Sequence, residues 1–344
     1  MRQPSLSRRQ MLIGTSLGAA AGLLPVAATA DERRSPASAD NATLRFGVIT
    51  DVHQDIMHDG AARLRAFVRA MREAKVDFIA QLGDFCVPHE RNDAFLAVWR
   101  EFDGPRYHVI GNHERDGGYN RAQIVEYFGM PNRYYSFDRA GVHFIVLDGN
   151  DRGGASGGYP RFIAEEQLEW LRNDLASTTR PTIVMIHQPL DSVDGVDNRA
   201  AVRTLLEQAR RDPKQAEVIA VLAGHSHVDY CRLIAGIHYL LVNSASYQWV
   251  GGKYQHESYP PEVHAAAPYL GHTCPYREPL WAIVSLDLEQ RLIQIEGRST
   301  AWVGPSPVAC GADHENEYWG WRPTYSQPRI SSWRFPLPTS GDLG

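Results

Sequence analysis

Five short polar clusters in this 344-residue chain carry residue types that bind metals and move protons. They are Asp51-Val52-His53, Gly83-Asp84, Gly111-Asn112-His113-Glu114, the isolated His187, and Gly224-His225-Ser226-His227. Each sits where an apolar, strand-like run ends. Strand ends that feed loops are where α/β folds place chemistry, because the sheet fixes the backbone and the loop presents the side chain. Taken singly the clusters say little: Asp-x-His is commonly a turn beside a surface histidine, and Gly-Asp is a turn. Five strand ends supplying Asp, His, Asp, Asn, His, His and His in order are best explained by a polynuclear metal site.

The elements that must position these residues are legible as alternating periodicities. Leu44 to Thr50, Phe78 to Leu82 and Arg106 to Ile110 are short apolar, strand-like runs, each stopping at a cluster. Between them, Asp59 to Lys75 places Leu64, Phe67, Val68 and Met71 at helical spacing, and Asn92 to Glu101 reads as a second helix. This β-α-β-α-β series predicts a parallel sheet with helical cover. Further on, strands are expected at Arg133 to Asp138, Val142 to Leu147, Thr182 to Ile186 and Val218 to Ala223, with helices near 120–128, 164–176 and 198–211. From Arg232 to Ser244 and Leu280 to Arg298 the pattern is again strand-like, and a second sheet built from later strands would face the first. The pattern by itself establishes mixed α/β.

Composition sets the outer limits. With 43% apolar and 22% charged residues the chain is ordinary for a globular protein, long enough for one large domain or two small ones. The formal charge is −5, and the first thirty residues carry Arg2, Arg8 and Arg9 with no acid. Nothing in this balance suggests a surface for a nucleic-acid polymer. Ser7-Arg8-Arg9-Gln10-Met11-Leu12 followed by a small-residue and apolar run to Ala30 reads as a twin-arginine-type export signal. The expectation is therefore a periplasmic or secreted protein that engages the twin-arginine export machinery and has no stable membrane anchor. A linker over 31–42 would follow, then the catalytic domain over 43–299, with an insertion at 247–278 near the site and a Trp-rich extension over 300–344 carrying Trp302, Trp319, Trp321 and Trp333. Cys86, Cys231, Cys274 and Cys310 show no Cys-x-x-Cys spacing, so no structural zinc site is indicated, and in an exported protein Cys274 with Cys310 is a plausible disulfide.

The ordered series D-x-H, G-D, G-N-H-[DE], H and G-H-x-H resembles that of the calcineurin-like metallophosphoesterases. The resemblance covers Leu44 to about Arg298 and implies a four-layer α-β-β-α sandwich of two mixed sheets flanked by helices. It implies two divalent ions, manganese, iron or zinc, with Asp51, His53 and His227 on one, Asn112, His187 and His225 on the other, and Asp84 bridging. By the same resemblance His113 contacts the phosphate as general acid, while Glu114 orients His113 or a ligand from behind. The single residue between the partners of Asp51-x-His53 and His225-x-His227 agrees with this mapping, since an extended backbone points both to one side. Purple relatives carry a tyrosine ligand where Val87 stands here and lack the histidine found at His53, so the chain is similar to the non-purple branch, and a tyrosinate-to-iron colour is expected to be absent. Arg115, Tyr119 and His58 follow strand ends and are candidates for substrate contact, Arg115 because its planar fork matches phosphate oxygens. The implied activity is hydrolysis of small soluble phosphate mono- or diesters. The alternatives are a nucleotide diphosphatase of the ADP-ribose or CDP-alcohol type, and a metal-containing binding protein without turnover.

Overall fold

The computed structural model describes residues 43–154, 158–312 and 322–337. The export-signal segment, the linker up to residue 42, Trp319 and Trp321 lie outside the described residues.

The strands in chain order are β1 (Thr43–Ile49), β2 (Phe78–Gln81), β3 (Arg106–His108), β4 (Tyr135–Arg139), β5 (Val142–Val146), β6 (Pro181–Met185), β7 (Glu217–Ala223), β8 (Tyr230–Ile234), β9 (Ile237–Leu241), β10 (Tyr247–Trp249), β11 (Thr273–Pro275), β12 (Ala282–Asp287), β13 (Leu292–Glu296) and β14 (Trp333–Pro336). They form two six-stranded sheets, ordered β14-β13-β12-β1-β2-β3 and β4-β5-β6-β7-β9-β8, and a two-stranded ribbon β10-β11. In the first sheet β1, β2 and β3 are parallel, while β12 runs antiparallel to β1 and brings β13 and β14 with it. In the second, β5, β6, β7 and β9 are parallel and the edge strands β4 and β8 are antiparallel. The late strands thus extend the first sheet, and the second is made from the middle of the chain. The segment beyond residue 300 also supplies an edge strand, β14.

Alternation along each strand explains the layering. In β5 and β6, Phe144, Val146, Ile183 and Met185 enter one core together with Phe46, Val48 and Phe78 of the first sheet, whereas Ile145, Val184 and their neighbours enter a second core. Phe144 meets Phe46 and Phe78 edge-on with ring centroids 5.6 and 5.2 Å apart, so aromatic rings knit the two sheets face to face. Helices α1 (Gly60–Glu73) and α2 (Asp93–Arg100) bury Leu64, Phe67, Val68, Met71 and Trp99 in the first core. Of the next three helices, α3 (Arg121–Phe128) buries Ile124 and Phe128 in the same core, and α4 (Glu165–Ala176) and α5 (Arg199–Arg211) cover the second sheet with Leu168, Leu171, Val202 and Leu206. Two mixed sheets flanked by helices are the result. No helix among the described residues is long and apolar enough to cross a membrane.

Candidate metal centre

The C-terminal ends of β1, β2, β3, β6 and β7 converge, so residues far apart in sequence meet at one place where the two sheets adjoin. Beyond the strands the backbone continues to pair: the N–H groups of Asp51 and His53 donate to the carbonyls of Gly83 and Asp84, at 3.0 and 2.9 Å. Glycine makes this approach possible. Gly83 has φ +104°, and a methyl group there would lie 2.5 Å from Nδ1 of His187; one on Gly111 would collide with the Asp84 carboxylate.

The backbone conformation differs from the extended one expected of the two x-separated pairs. Asp51, His53, Asp84, His225 and His227 all have positive φ, at 51°, 50°, 52°, 75° and 53°. A left-handed conformation costs an L-residue about 1–2 kcal/mol, so five such residues in one centre are held there by their surroundings. Left-handed turns at both ends of each pair, rather than strand pleating, bring the side chains together.

Each carboxylate has one oxygen tied down and one directed into the centre. Oδ2 of Asp51 accepts from the Thr50 hydroxyl at 2.6 Å and from the His225 N–H at 3.0 Å. Its Oδ1 lies 3.2 Å from Nε2 of His227, 3.7 Å from that of His53 and 4.0 Å from that of His187. Oδ1 of Asp84 accepts the His113 N–H at 2.8 Å, while Oδ2 is 3.1, 3.7 and 4.0 Å from Nε2 of His187, His53 and His113. Asp84, His187 and His225 present ligand atoms within 4.8 Å of one another, as do Asp51, His53 and His227. The Asn112 side chain is 2% exposed, and its carbonyl oxygen has no hydrogen-bond partner within the protein.

This donor set fits a pair of divalent cations. Nδ1 of His187 and of His227 face the carbonyls of Leu82 and Tyr247 at 2.8 and 2.9 Å. A carbonyl only accepts, so each Nδ1 carries a proton and each Nε2 faces the carboxylates. Nε2 atoms facing carboxylate oxygens at 3.1–3.2 Å are held there by positive charge, a proton or a cation that displaces it. The electrostatics express the same demand. Burial alone would raise Asp51, but His187 and His227 outweigh it and hold it at about 2; Asp84 is likewise held well below the carboxylate range, chiefly by His187 and His113. Burial disfavours charge on His187, yet Asp84 and Asp51 lift it to about 10. His53 and His225, dominated by burial, are pushed down to about 3 and so are neutral.

His113 stands at the lip of the centre, with its side chain 35% exposed. Its Nδ1 is 2.7 Å from Asp116 Oδ2, and the Tyr159 hydroxyl donates to the other oxygen of Asp116 at 2.6 Å. Burial opposes the charged imidazole, but Asp84 and then Asp116 raise it to about 9. Asp116, then, orients His113. Glu114 works on the backbone: its carboxylate accepts from the N–H groups of Asp84, Phe85 and Gly111 at 3.2, 2.7 and 2.9 Å, clasping the Asp84 turn to the Gly111 turn. Burial and then the Asp84 charge push Glu114 up to about 8.

A cavity of about 980 Å³ opens over the centre, lined by His113, Tyr119, Tyr159, Arg161, Tyr247 and Trp249 among others. Of the three expected substrate contacts, Tyr119 lines it. Arg115 instead lines an adjoining cleft with Arg152 and Asp197, its guanidinium 3.4 Å from the Asn150 carbonyl. His58 is exposed and packs against Tyr259, ring centroids 4.5 Å apart. A position just after a strand end does not by itself decide into which of two neighbouring clefts a side chain turns. Asp116 and Arg161 are not singled out by the sequence, although Asp116 has a local signal, three residues after His113; Tyr159 and Tyr247 lie in the 149–159 loop and the 247–278 insertion expected beside the site, and both line the cavity. Cys274 and Cys310, a plausible disulfide from the sequence, come together as free thiols with sulfurs 3.9 Å apart.

The profile of the calcineurin-like phosphoesterases matches residues 44–229, which contain every residue of the centre. Over 132 residues the chain is 35% identical to purple acid phosphatase 22 of Arabidopsis thaliana, covering 34% of this chain and 27% of that protein. Over 145 residues it is 28% identical to a 3′,5′-cyclic-nucleotide phosphodiesterase of Nostoc, covering 42% of this chain and 52% of the relative. The chain thus spans between about a quarter and about half of the length of these relatives. The crystal structure of a dimetal phosphatase from Danio rerio superposes with a TM-score of 0.54 at 18% identity, covering 76% of this chain and 98% of that one, a likeness of fold. With more than half of its length matched and the two-sheet architecture in place, the chain belongs to the calcineurin-like phosphoesterase family.

Proposed function

We propose that this chain is a dinuclear-metal hydrolase of small soluble phosphate esters, acting outside the cytoplasm. The observation that carries the reading is the convergence of one free oxygen each from Asp51 and Asp84 on the Nε2 atoms of His53, His187 and His227. Asp51, His53 and His227 would hold one divalent ion, Asn112, His187 and His225 the other, and Asp84 both. Bound there, manganese, iron or zinc would supply Lewis-acid polarisation of the phosphoryl group and acidify water. The protein's own residues do the rest. Asp51 and Asp84 are fixed by hydrogen bonds to their outer oxygens, so the inner oxygens need little reorganisation. His113, its Nδ1 occupied by Asp116, turns Nε2 toward the cavity and holds a proton there for the leaving oxygen.

The aromatic wall of Tyr247, Trp249 and Tyr269 supports an organic group beyond the phosphate, and a cavity of about 980 Å³ exceeds what phosphate alone requires. It therefore favours diesters, or monoesters with a bulky alcohol; a nucleotide diphosphate would use the same wall. The extracytoplasmic location rests on the Ser7-Arg8-Arg9 segment of the sequence. The deciding experiment is turnover of a matched monoester and diester by protein loaded separately with manganese, zinc and iron. Turnover of at least one ester, lost on chelation and in Asp84→Asn, is the expected result. Absence of turnover with both metals bound would overturn the ester reading, and cleavage of a nucleotide diphosphate in the same series would replace it.

A further inference from the structure

Away from the catalytic cavity, three residues from separate segments meet: His256, Cys274 on β11, and Cys310. A ligand atom from each lies within 4.8 Å of the other two. None of the three lines the catalytic cavity. We propose that His256, Cys274 and Cys310 form a thiolate-rich zinc site, distinct from the dinuclear centre, that fastens the aromatic wall of the cavity.

Four observations support it. First, the two sulfurs are 3.9 Å apart. Zinc–sulfur bonds of about 2.3 Å in a tetrahedron set the sulfurs about 3.8 Å apart, whereas a disulfide brings them to about 2 Å. Second, Nδ1 of His256 lies 2.9 Å from the Tyr254 carbonyl, which can only accept, so the proton is on Nδ1 and Nε2 keeps its lone pair. An imidazole that donates one N–H to a backbone carbonyl keeps its other nitrogen available to a metal, as zinc-bound histidines commonly do. Cys310 Sγ lies 3.4 Å from Nδ1 and 3.9 Å from Nε2, so the ring edge flanks the sulfur and a small rotation of the imidazole brings Nε2 to the nitrogen–sulfur edge of such a tetrahedron. Third, the backbones that present the ligands are themselves fixed: the His256 N–H donates to Gly271, the Cys310 N–H to Ser306, and Cys274 pairs with Gln248 across the ribbon. Fourth, Cys274 is fully buried with Val250 and Ala312, and Trp302 and Tyr254 close the apolar shell. In this shell the two thiols make only weak sulfur contacts, with each other and with the His256 ring, and a cation there would engage both sulfurs more strongly. On binding Zn²⁺ each thiol gives up one proton to solvent, so two protons leave and the site carries two thiolates and a neutral imidazole.

The location gives the site its consequence. Cys274 is the direct partner of Gln248, whose neighbours Tyr247 and Trp249 line the catalytic cavity. A metal joining β11 to the segments holding His256 and Cys310 would clamp that ribbon from behind.

The test uses the intact protein purified with zinc, alongside Cys310→Ser and His256→Asn. Zinc per chain is measured by mass spectrometry, and thiols are counted under denaturing, non-reducing conditions with chelator. The expected result is one zinc fewer in each variant than in the parent, four titratable thiols in the parent, and a thiolate-to-metal charge-transfer band in cobalt-loaded parent that Cys310→Ser lacks. Because His256→Asn keeps both cysteines, it tests the site even if Cys310→Ser fails to fold. Equal zinc in parent and folded His256→Asn would overturn the proposal, as would two missing thiols in the parent, the sign of a Cys274–Cys310 disulfide. The charge-transfer band reads the sulfurs alone, so its outcome is independent of whether the dinuclear centre turns over esters.

Discussion

The floor and the wall of the cavity are built by different means. The floor is made of residues at the ends of five strands, and its Asp51, Asp84, Asn112 and His187 are at most 3% exposed. Their second atoms are engaged by neighbours: Thr50 and the His225 N–H on Asp51, the His113 N–H on Asp84, the Leu82 carbonyl on His187. The wall comes from a two-stranded ribbon, a single turn carrying Tyr269, and the loop carrying Tyr159, and both tyrosines are exposed by 40% or more. Chemistry that needs fixed geometry is placed on the sheets, and surfaces that only need to be apolar and near are left to the insertions. If that division is right, floor substitutions change kcat and metal content, and wall substitutions change KM for particular substrates.

The largest effect is expected at Asp84, whose inner oxygen faces histidines of both clusters, His53 and His187. Asp84→Asn removes the charge facing His187, His53 and His113 and should lower kcat/KM at least about 10³-fold, about 4 kcal/mol of transition-state stabilisation. Metal analysis of the same sample should show fewer ions per chain than the parent; parent-level metal with normal turnover would break the comparison at its floor. Next comes His113→Ala. A general acid is worth about 10²–10⁴-fold, and more for alcohols that leave poorly. The loss should therefore be large for an alkyl phosphate and small for a nitrophenyl ester, with metal content unchanged. An equal loss for both esters would assign His113 to binding instead.

The parts legible in the sequence are those set by short range. A cluster at the end of an apolar run announces both its element and its place, which is why β1, β2, β3, β6 and β7 could each be tied to a polar cluster before any contact was known. What escaped depends on distant segments. Tyr159 reaches Asp116 from 43 residues away, and Ser244 caps the Asp51 carbonyl from 193 residues away. Strand order escaped for the same reason: periodicity identifies β12 as a strand but not that it pairs with β1. In the Asp51 and His225 pairs, one intervening residue suits both an extended segment and two left-handed residues, and the contacts that go with the second are long-range: the Asp51 N–H to the Gly83 carbonyl and the His225 N–H to Asp51. Cys274 and Cys310 illustrate the remaining limit, since their pairing concerned proximity, while the state of the sulfurs depends on what else, here His256, arrives beside them.

On the wall, Trp249→Ala is expected to raise KM about tenfold for an aryl or nucleoside ester, the value of one lost aromatic contact of about 1.4 kcal/mol. Neither kcat nor KM for a small alkyl ester should change by more than about twofold. A fall in kcat for every substrate would mean that the ribbon also positions the floor, through the Tyr247 carbonyl that holds His227.

The smallest effect is expected at Arg115, and it separates the two cavities. Arg161 lines both and is buried, with Asp197 3.7 Å from its guanidinium and the Asp194 carbonyl as a further partner, so its removal would disturb structure as well as charge. Arg115 lines only the adjoining cleft and sits beside Asp151 and Arg152 there. A half-buried guanidinium facing that cleft does not line the catalytic cavity, and a charge interaction across solvent is worth about 0–1 kcal/mol. Arg115→Ala should accordingly leave kcat/KM for a monoester within about twofold of the parent value. A loss beyond about tenfold would require the phosphate to reach past Tyr159 into the second cleft, and the floor and wall would then no longer be separable by substitution.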